Sequence, residues 1–372
     1  MRILYLSNSE IPSRAANSVH VMKMCNAFAS QHEITLVARQ GEEAIGNGDD
    51  FVTYGVSRCF GIRKEPSRGR SLTSRVGFAL SSRRHLRDFH PVDLVYSRHL
   101  LSAWIASRYG HPFVFEAHCA PGAWERWLQS RLFRRPNFRR LVVISDALRC
   151  EFLRIHPTLC EQQIMVAHDG ADPVSQTAVE SSESWIPASQ HRLQVGYIGH
   201  LYPGKGMEVV YELTRRMPNV DFHVVGGTEE DLSHWKSLMQ ADKNVTFHGF
   251  VPHAATEAFR RNMDVLLAPY QTSVGVSGGG QDIARWMSPL KLFEYMSNGG
   301  AIIASNLPVL REVLTHEETA LLVPPQDFQA WEAAVHRLRD SSLRQRLGDK
   351  ARSVFQSSYT WSARAQTVLD GL

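Results

Sequence analysis

A chain of 372 residues is long for one hydrophobic core and suits two. Its 43% apolar and 21% charged residues exclude a disordered or fibrous protein. The net charge of +4 conceals a split: residues 1–170 hold 23 Lys and Arg against 15 Asp and Glu, while the remainder holds 18 against 22.

The basic excess lies in two stretches, Arg58 to Arg87 and Arg126 to Arg140. Such clusters suit anionic lipid head groups or phosphorylated substrates, or simply form a solvated basic face. Peripheral association with an anionic membrane is therefore one expected partnership, and nucleic acid is not. Met1 to Asn8 turns polar too soon for a signal peptide or a spanning segment, and no window reaches the ~18 unbroken apolar residues that a membrane helix requires. A cytoplasmic protein is expected. Cys25, Cys59, Cys119, Cys150 and Cys160 show no C-x-x-C pairing and read as free, mostly buried thiols.

Short Val, Ile and Leu runs alternate with helical patterns along the whole chain, the signature of β-α-β units around a parallel sheet. Strands are expected at 3–7, 34–38, 93–97, 113–117, 141–144 and 164–167. Between Asn17 and Gln31 the apolar positions Val21, Met24, Cys25 and Phe28 predict a helix with one face on the sheet. Residues 173–190 are polar and aperiodic, as an interdomain linker would be. A second series of strands then follows at 193–198, 221–225, 245–248, 264–268, 301–304 and 320–323. Two doubly wound sheets, 1–172 and 191–357, with a last helix at 358–372, predict an α/β protein whose ligands lie in a cleft outside the carboxyl ends of the strands.

Two motifs carry chemistry. The first is Gly196-Tyr197-Ile198-Gly199-His200-Leu201-Tyr202-Pro203-Gly204-Lys205-Gly206, a strand entering a glycine-rich turn with one lysine before a helix. Glycines admit a phosphate close to the backbone, the helix start offers N–H donors, and Lys205 adds a point charge. Gly206 replaces the Ser or Thr of a P-loop, which argues against a nucleotide triphosphatase. The second motif runs from Ser288-Pro289-Leu290-Lys291-Leu292-Phe293-Glu294-Tyr295 to Ser305. Ser288 reads as the helix cap, with the donors of the first turn free after the glycine-rich stretch 275–280. Glu294, one turn inside, can accept hydrogen bonds from vicinal hydroxyls such as those of a ribose. The bland alternative is a surface pair between Lys291 and Glu294.

The segment from Ser288 through Val313 resembles the signature of glycosyltransferase family 4, and the Gly199 to Gly206 turn is similar to that family's diphosphate loop. Further matches are Val245 to Val251, Asp264 to Pro269 and Ala167 to Asp172. The resemblance implies a GT-B architecture of two Rossmann-like domains and a nucleoside-diphosphate sugar as donor, a UDP-sugar first and a GDP-sugar next. It implies that Lys205 neutralises the diphosphate, that Ser288, Pro289 and Leu290 cradle it with Gly199, His200, Gly204 and Gly206, and that Glu294 holds the ribose. His118 corresponds to the family histidine near the anomeric centre. Asn17 and Ser18 fall against the donor phosphates, and His20, Arg98 and Glu116 on the acceptor side. Two positions depart from the family. Trp286 stands where an acid is usual, eight positions before Glu294, with Asp282 a partial substitute, and His200 replaces the usual arginine.

The expected reaction is retaining transfer of a hexose or N-acetylhexosamine to an acceptor hydroxyl, without cofactor or metal, assembled by domain closure. The acceptor could be a saccharide, a lipid-linked molecule or a small metabolite. A sugar-nucleotide epimerase, a phosphorylase or a non-catalytic nucleotide-sugar-binding partner remain alternatives.

Overall fold

The computed structural model describes residues 1–42, 48–66, 72–88, 91–174, 191–275 and 282–372. The expected linker from 175 onward, and the glycine stretch from 276 onward, lie outside these residues. The chain forms two compact units, Met1–His168 with Trp361–Leu372, and Asp169–Thr360.

The first unit follows the order β1 (Arg2–Ile11), α1 (Ala16–Phe28), β2 (Glu33–Gln40), α2 (Asp50–Tyr54), β3 (Gly61–Glu65), α3 (Leu72–Asp88), β4 (Leu94–Ser97), α4 (Leu100–Arg108), β5 (Phe113–Ala117), α5 (Ala123–Leu132), β6 (Phe138–Val143), α6 (Asp146–Ile155) and β7 (Ile164–Val166). Its seven parallel strands lie in the order β3-β2-β1-β4-β5-β6-β7. Both faces of the sheet are covered, so consecutive residues of β1 such as Ile3, Leu4, Tyr5 and Leu6 are all buried. The edge strand β3 does not appear in the sequence-based set. Its Gly-Ile-Arg-Lys-Glu has no apolar run because only β2 pairs with it.

The second unit runs β8 (Leu193–Ile198), α7 (Met207–Arg216), β9 (Val220–Val225), α8 (Glu229–Leu238), β10 (Val245–Gly249), α9 (Thr256–Arg261), β11 (Val265–Ala268), α10 (Leu290–Asn298), β12 (Ala301–Ser305), β13 (Leu321–Val323), α11 (Phe328–Arg337) and α12 (Ser341–Ser358). Its strands, again all parallel, lie in the order β10-β9-β8-β11-β12-β13. Asp169 to Asp172 belong to this unit through an Asp169 N–H bond to Ser288 Oγ, a bridge from Ala171 to Thr360, and a Ser297 hydroxyl bond to Asp172 O.

In each sheet the strand order reverses direction at one point, between β1 and β4 and between β8 and β11. At such a point the connections leave in opposite directions and open a crevice at the carboxyl ends of the strands.

The last helix, α13 (Trp361–Leu369), packs in the first unit against α1. This explains why α1 is buried on more than the predicted face: His20, Met22 and Lys23 are covered along with Val21, Met24, Cys25 and Phe28. The cysteine expectation needs correction. Cys25 alone is buried, and Cys59, Cys119, Cys150 and Cys160 are exposed. No described helix is long and apolar enough to cross a membrane.

Candidate functional site

In the second unit β8 ends at Ile198, and the glycine-rich turn begins at its switch point. Gly204 and Gly206 have positive φ, and a Cβ on either would stand 2.2 Å from Ser273 O or 1.9 Å from Pro269 O. Glycine is thus demanded first by the close approach of the turn to the segment after β11. Lys205 Nζ lies 5.1 Å from the Tyr202 ring centroid and 5.2 Å from that of Tyr270. Burial lowers its pKa to about 8. His200 is pushed down to about 4 by burial, reinforced by Lys205 and Lys291, so it is a neutral imidazole near pH 7.

Helix α10 begins at Leu290 with Pro289 at the cap position and no side-chain cap hydrogen bond. The expected Ser288 cap is therefore corrected: its hydroxyl accepts from the Asp169 amide at 2.8 Å instead. The helix start keeps its dipole without a capping side chain, the condition that favours an anion. Glu294 Oε1 lies 2.6 Å from His253 Nε2, and its Oε2 accepts from Arg260 Nη1 at 3.3 Å. Lys291 is not the surface cation of the bland reading, because its Nζ is buried and makes no hydrogen bond. The Tyr197 ring, 3.9 Å away, offers it cation–π attraction worth ~2 kcal/mol at best, against a desolvation cost of several kcal/mol.

Asp282 Oδ1 accepts from the amides of Val274 and Ala284 at 2.8 and 2.9 Å, fastening the two ends of the segment around 276–281. Trp286 is buried, with the Arg285 guanidinium 4.9 Å from its ring.

In the first unit, β5 delivers Glu116 and then His118. Glu116 Oε1 lies 2.5 Å from His118 Nε2, 3.0 Å from His20 Nε2, 3.1 Å from Arg364 Nη2 and 3.8 Å from Arg98 Nε. Tyr96 donates its hydroxyl to Oε2. Burial would raise this carboxyl, but Arg364, His20 and the hydrogen bond from His118 outweigh it and hold its pKa well below the ordinary carboxylate range. Burial and Arg98 lower His118 to about 4. A neutral imidazole facing an ionised carboxylate must place its proton on Nε2, which leaves Nδ1 with a lone pair.

His20, Glu116 and His118 bring three metal-type ligand atoms within 4.8 Å of one another. The guanidinium of Arg364 already occupies the carboxylate and Arg98 adds a second positive charge, so the cluster fits a charge-paired hub better than a cation centre.

His20 and Glu116 are each 1% exposed, and a substrate cannot touch them directly. The His118 side chain is 26% exposed and that of Arg98 10%. Arg98 Nη1 donates to Asn17 O at 3.3 Å, and exposed Asn17 donates to Ser9 Oγ at 3.2 Å. Ser18 is turned inward, donating its hydroxyl to Glu10 O at 2.8 Å.

Sequence reasoning missed Arg364, His253 and Arg260. Each lies far in sequence from the motif it serves, and only the fold brings it there.

Residues 192–341 match the family described as Glycosyl transferases group 1, and residues 18–174 match Glycosyltransferase Family 4. Phosphatidyl-myo-inositol mannosyltransferase of Mycolicibacterium smegmatis is 30% identical over 174 residues, which are 45% of this chain and 41% of that protein. D-inositol 3-phosphate glycosyltransferase of Corynebacterium glutamicum is 23% identical over 299 residues, 75% of this chain and 66% of that one. The chain thus spans less than half of the mannosyltransferase it matches. Among solved structures, the Anabaena protein Alr3699/HepE in complex with UDP superposes with a TM-score of 0.71 at 14% identity, covering 99% of this chain and 98% of that one. The two parallel-sheet units of this chain have the GT-B architecture of such neighbours, and each resembles one of these two glycosyltransferase families.

Proposed function

We propose that the protein is a retaining, metal-independent glycosyltransferase that moves a hexose or N-acetylhexosamine from a nucleoside-diphosphate sugar to an acceptor hydroxyl. The observation that carries this reading is a half-buried Lys205 beside a glycine turn at the β8/β11 switch point. The uncapped α10 start and the Glu294 carboxylate one turn further complete a diphosphate-and-ribose pattern. That a similar protein was solved with UDP supports a UDP-sugar ahead of a GDP-sugar.

In this reading the bond between the anomeric carbon and the diphosphate oxygen breaks as the acceptor oxygen attacks. The electron pair goes to the leaving phosphate, which also takes the acceptor proton. Lys205 and the α10 dipole oppose that growing charge, stabilising the transition state beyond the ground state. His118 Nδ1 offers an acceptor for a sugar hydroxyl. Among UDP-, GDP- and ADP-sugars in a thermal-shift screen, a UDP-sugar at about 100 times its Kd should raise the melting temperature by roughly 5–10 °C. No shift with any of the three would contradict the proposal.

A lipid-linked acceptor is favoured over a soluble one by the surface of α5. Trp124 and Trp127 are 45% and 59% exposed, the Arg131 guanidinium lies 3.7 Å from the Trp127 ring, and neighbouring α3 exposes Val76 and Leu80. Exposed tryptophans among arginines suit an anionic bilayer interface. Cosedimentation with phosphatidylglycerol vesicles should weaken as salt rises and drop at least about tenfold in W124A/W127A. Equal recovery of wild type and variant would refute this surface.

A further inference from the structure

Lys291 lies just inside α10, partly exposed as a residue, and its ammonium is turned inward with no hydrogen-bond acceptor. It is 3.9 Å from the Tyr197 ring centroid and 5.2 Å from that of Tyr270. A Cβ added to Gly199 would stand 2.8 Å from its Nζ, so the ammonium occupies the hollow beside the first glycine of the turn. Lys205 Nζ is also 5.2 Å from the Tyr270 ring. Two ammonium groups from separate elements therefore share one aromatic wall.

The surrounding charges sharpen the case. Burial first, and then Lys205, hold Lys291 well below the ordinary lysine range. His200 feels both lysines and is neutral. The nearest carboxylate on its own helix, Glu294, is engaged by His253 and Arg260. Tyr197 and Tyr270 contribute ring faces, which cannot accept three N–H donors as an anion does. Burying two like charges beside one another is unfavourable unless a negative group completes the set. A structural lysine would find a carbonyl or carboxylate, and a surface lysine would reach water. Lys291 does neither.

We propose that Lys291 is the second cation of the diphosphate site, gripping phosphate oxygens together with Lys205. It supplies the charge that His200, standing at the usual arginine position, cannot. This inference rests on the donor-site reading above and adds a residue to it. During transfer the pair of electrons released onto the leaving phosphate oxygen would be opposed by two ammonium groups rather than one.

The test is calorimetric titration of wild type, K291M and K291Q with uridine, UMP, UDP and inorganic pyrophosphate. Loss of one charge-assisted contact predicts uridine affinity within about twofold of wild type and UDP affinity reduced by about 10–100-fold, with UMP between. Replacing a buried, unpaired charge with a hydrophobe should leave the melting temperature of K291M equal or higher, which separates loss of the contact from loss of the fold. An equal loss for uridine and UDP would make Lys291 structural, and unchanged UDP affinity would remove it from the site. Both results overturn the proposal while leaving the donor reading intact. Should wild type bind pyrophosphate but no nucleotide, with the binding lost in K291M, the anion site stands and the donor reading falls. Absence of binding to pyrophosphate and UDP alike would overturn both.

Discussion

Glu294 joins a structural role to the ribose contact proposed for it. It is clasped by His253 and Arg260, whose own side chain is 9% exposed, so its charge balances a nearly buried guanidinium. E294Q should cost stability, roughly 3 kcal/mol, because it strands that guanidinium, and should weaken UDP binding by about tenfold or more through the ribose contact. Melting curves and titration of the same preparation check both, and unchanged UDP affinity would detach Glu294 from the ribose role. The position of Glu294 was legible because a helix start, a proline and a carboxylate one turn later are local features. Its partners were not, since His253 and Arg260 come from a different segment and carry no local signal. The same holds for Lys291: a lysine three residues before a glutamate reads as a surface pair, and only the packing of α10 beside the β8 turn shows that its ammonium is buried.

At the scale of elements, α13 is tied into the first unit by polar contacts as well as by its apolar face. Arg364, 3% exposed, pairs with Glu116 and donates to His168 O at 3.0 Å. Trp361 lies edge-on to His20 with ring centroids 5.2 Å apart. Arg140 meets the carbonyls of Val368 and Asp370 at the other end. The helix therefore sets the charge state of the carboxylate that orients His118. Because the folded pKa of Glu116 is depressed, its contribution to stability is present above the ordinary carboxylate range and is lost as pH falls through the depressed value. R364M raises that folded value, so acid destabilisation should begin at higher pH, with a loss of roughly 3–5 kcal/mol at neutrality. The acid limb of sugar transfer should move upward with it, and a pH profile superposable on wild type would separate Arg364 from His118. Central strands were legible from their buried Val, Ile and Leu runs, whereas β3 was not, because an edge strand with Arg63, Lys64 and Glu65 needs neither face apolar.

For the molecule as a whole, the repeated alternation of buried strands and helices was enough to anticipate two doubly wound sheets. Each has a candidate residue at the reversal in strand order, Arg98 after β4 in one and the Lys205 turn after β8 in the other, while Glu116 and His118 come from the end of the next strand, β5. The five cysteines are free as expected, but the expectation that most are buried failed, since thiols at helix surfaces and in loops such as Cys150 and Cys160 are tolerated in the open. The basic stretch 126–140 likewise divides on inspection: Arg140 fastens α13, while Arg126, Arg131 and Arg134 are exposed.

The central claim is that the second unit grips the diphosphate of a nucleotide sugar through Lys205. Titration of UDP into wild type and K205A tests it most directly. Wild type should bind, and K205A should bind about 10–100-fold more weakly with uridine affinity preserved. Equal affinity of the two proteins for UDP would contradict it.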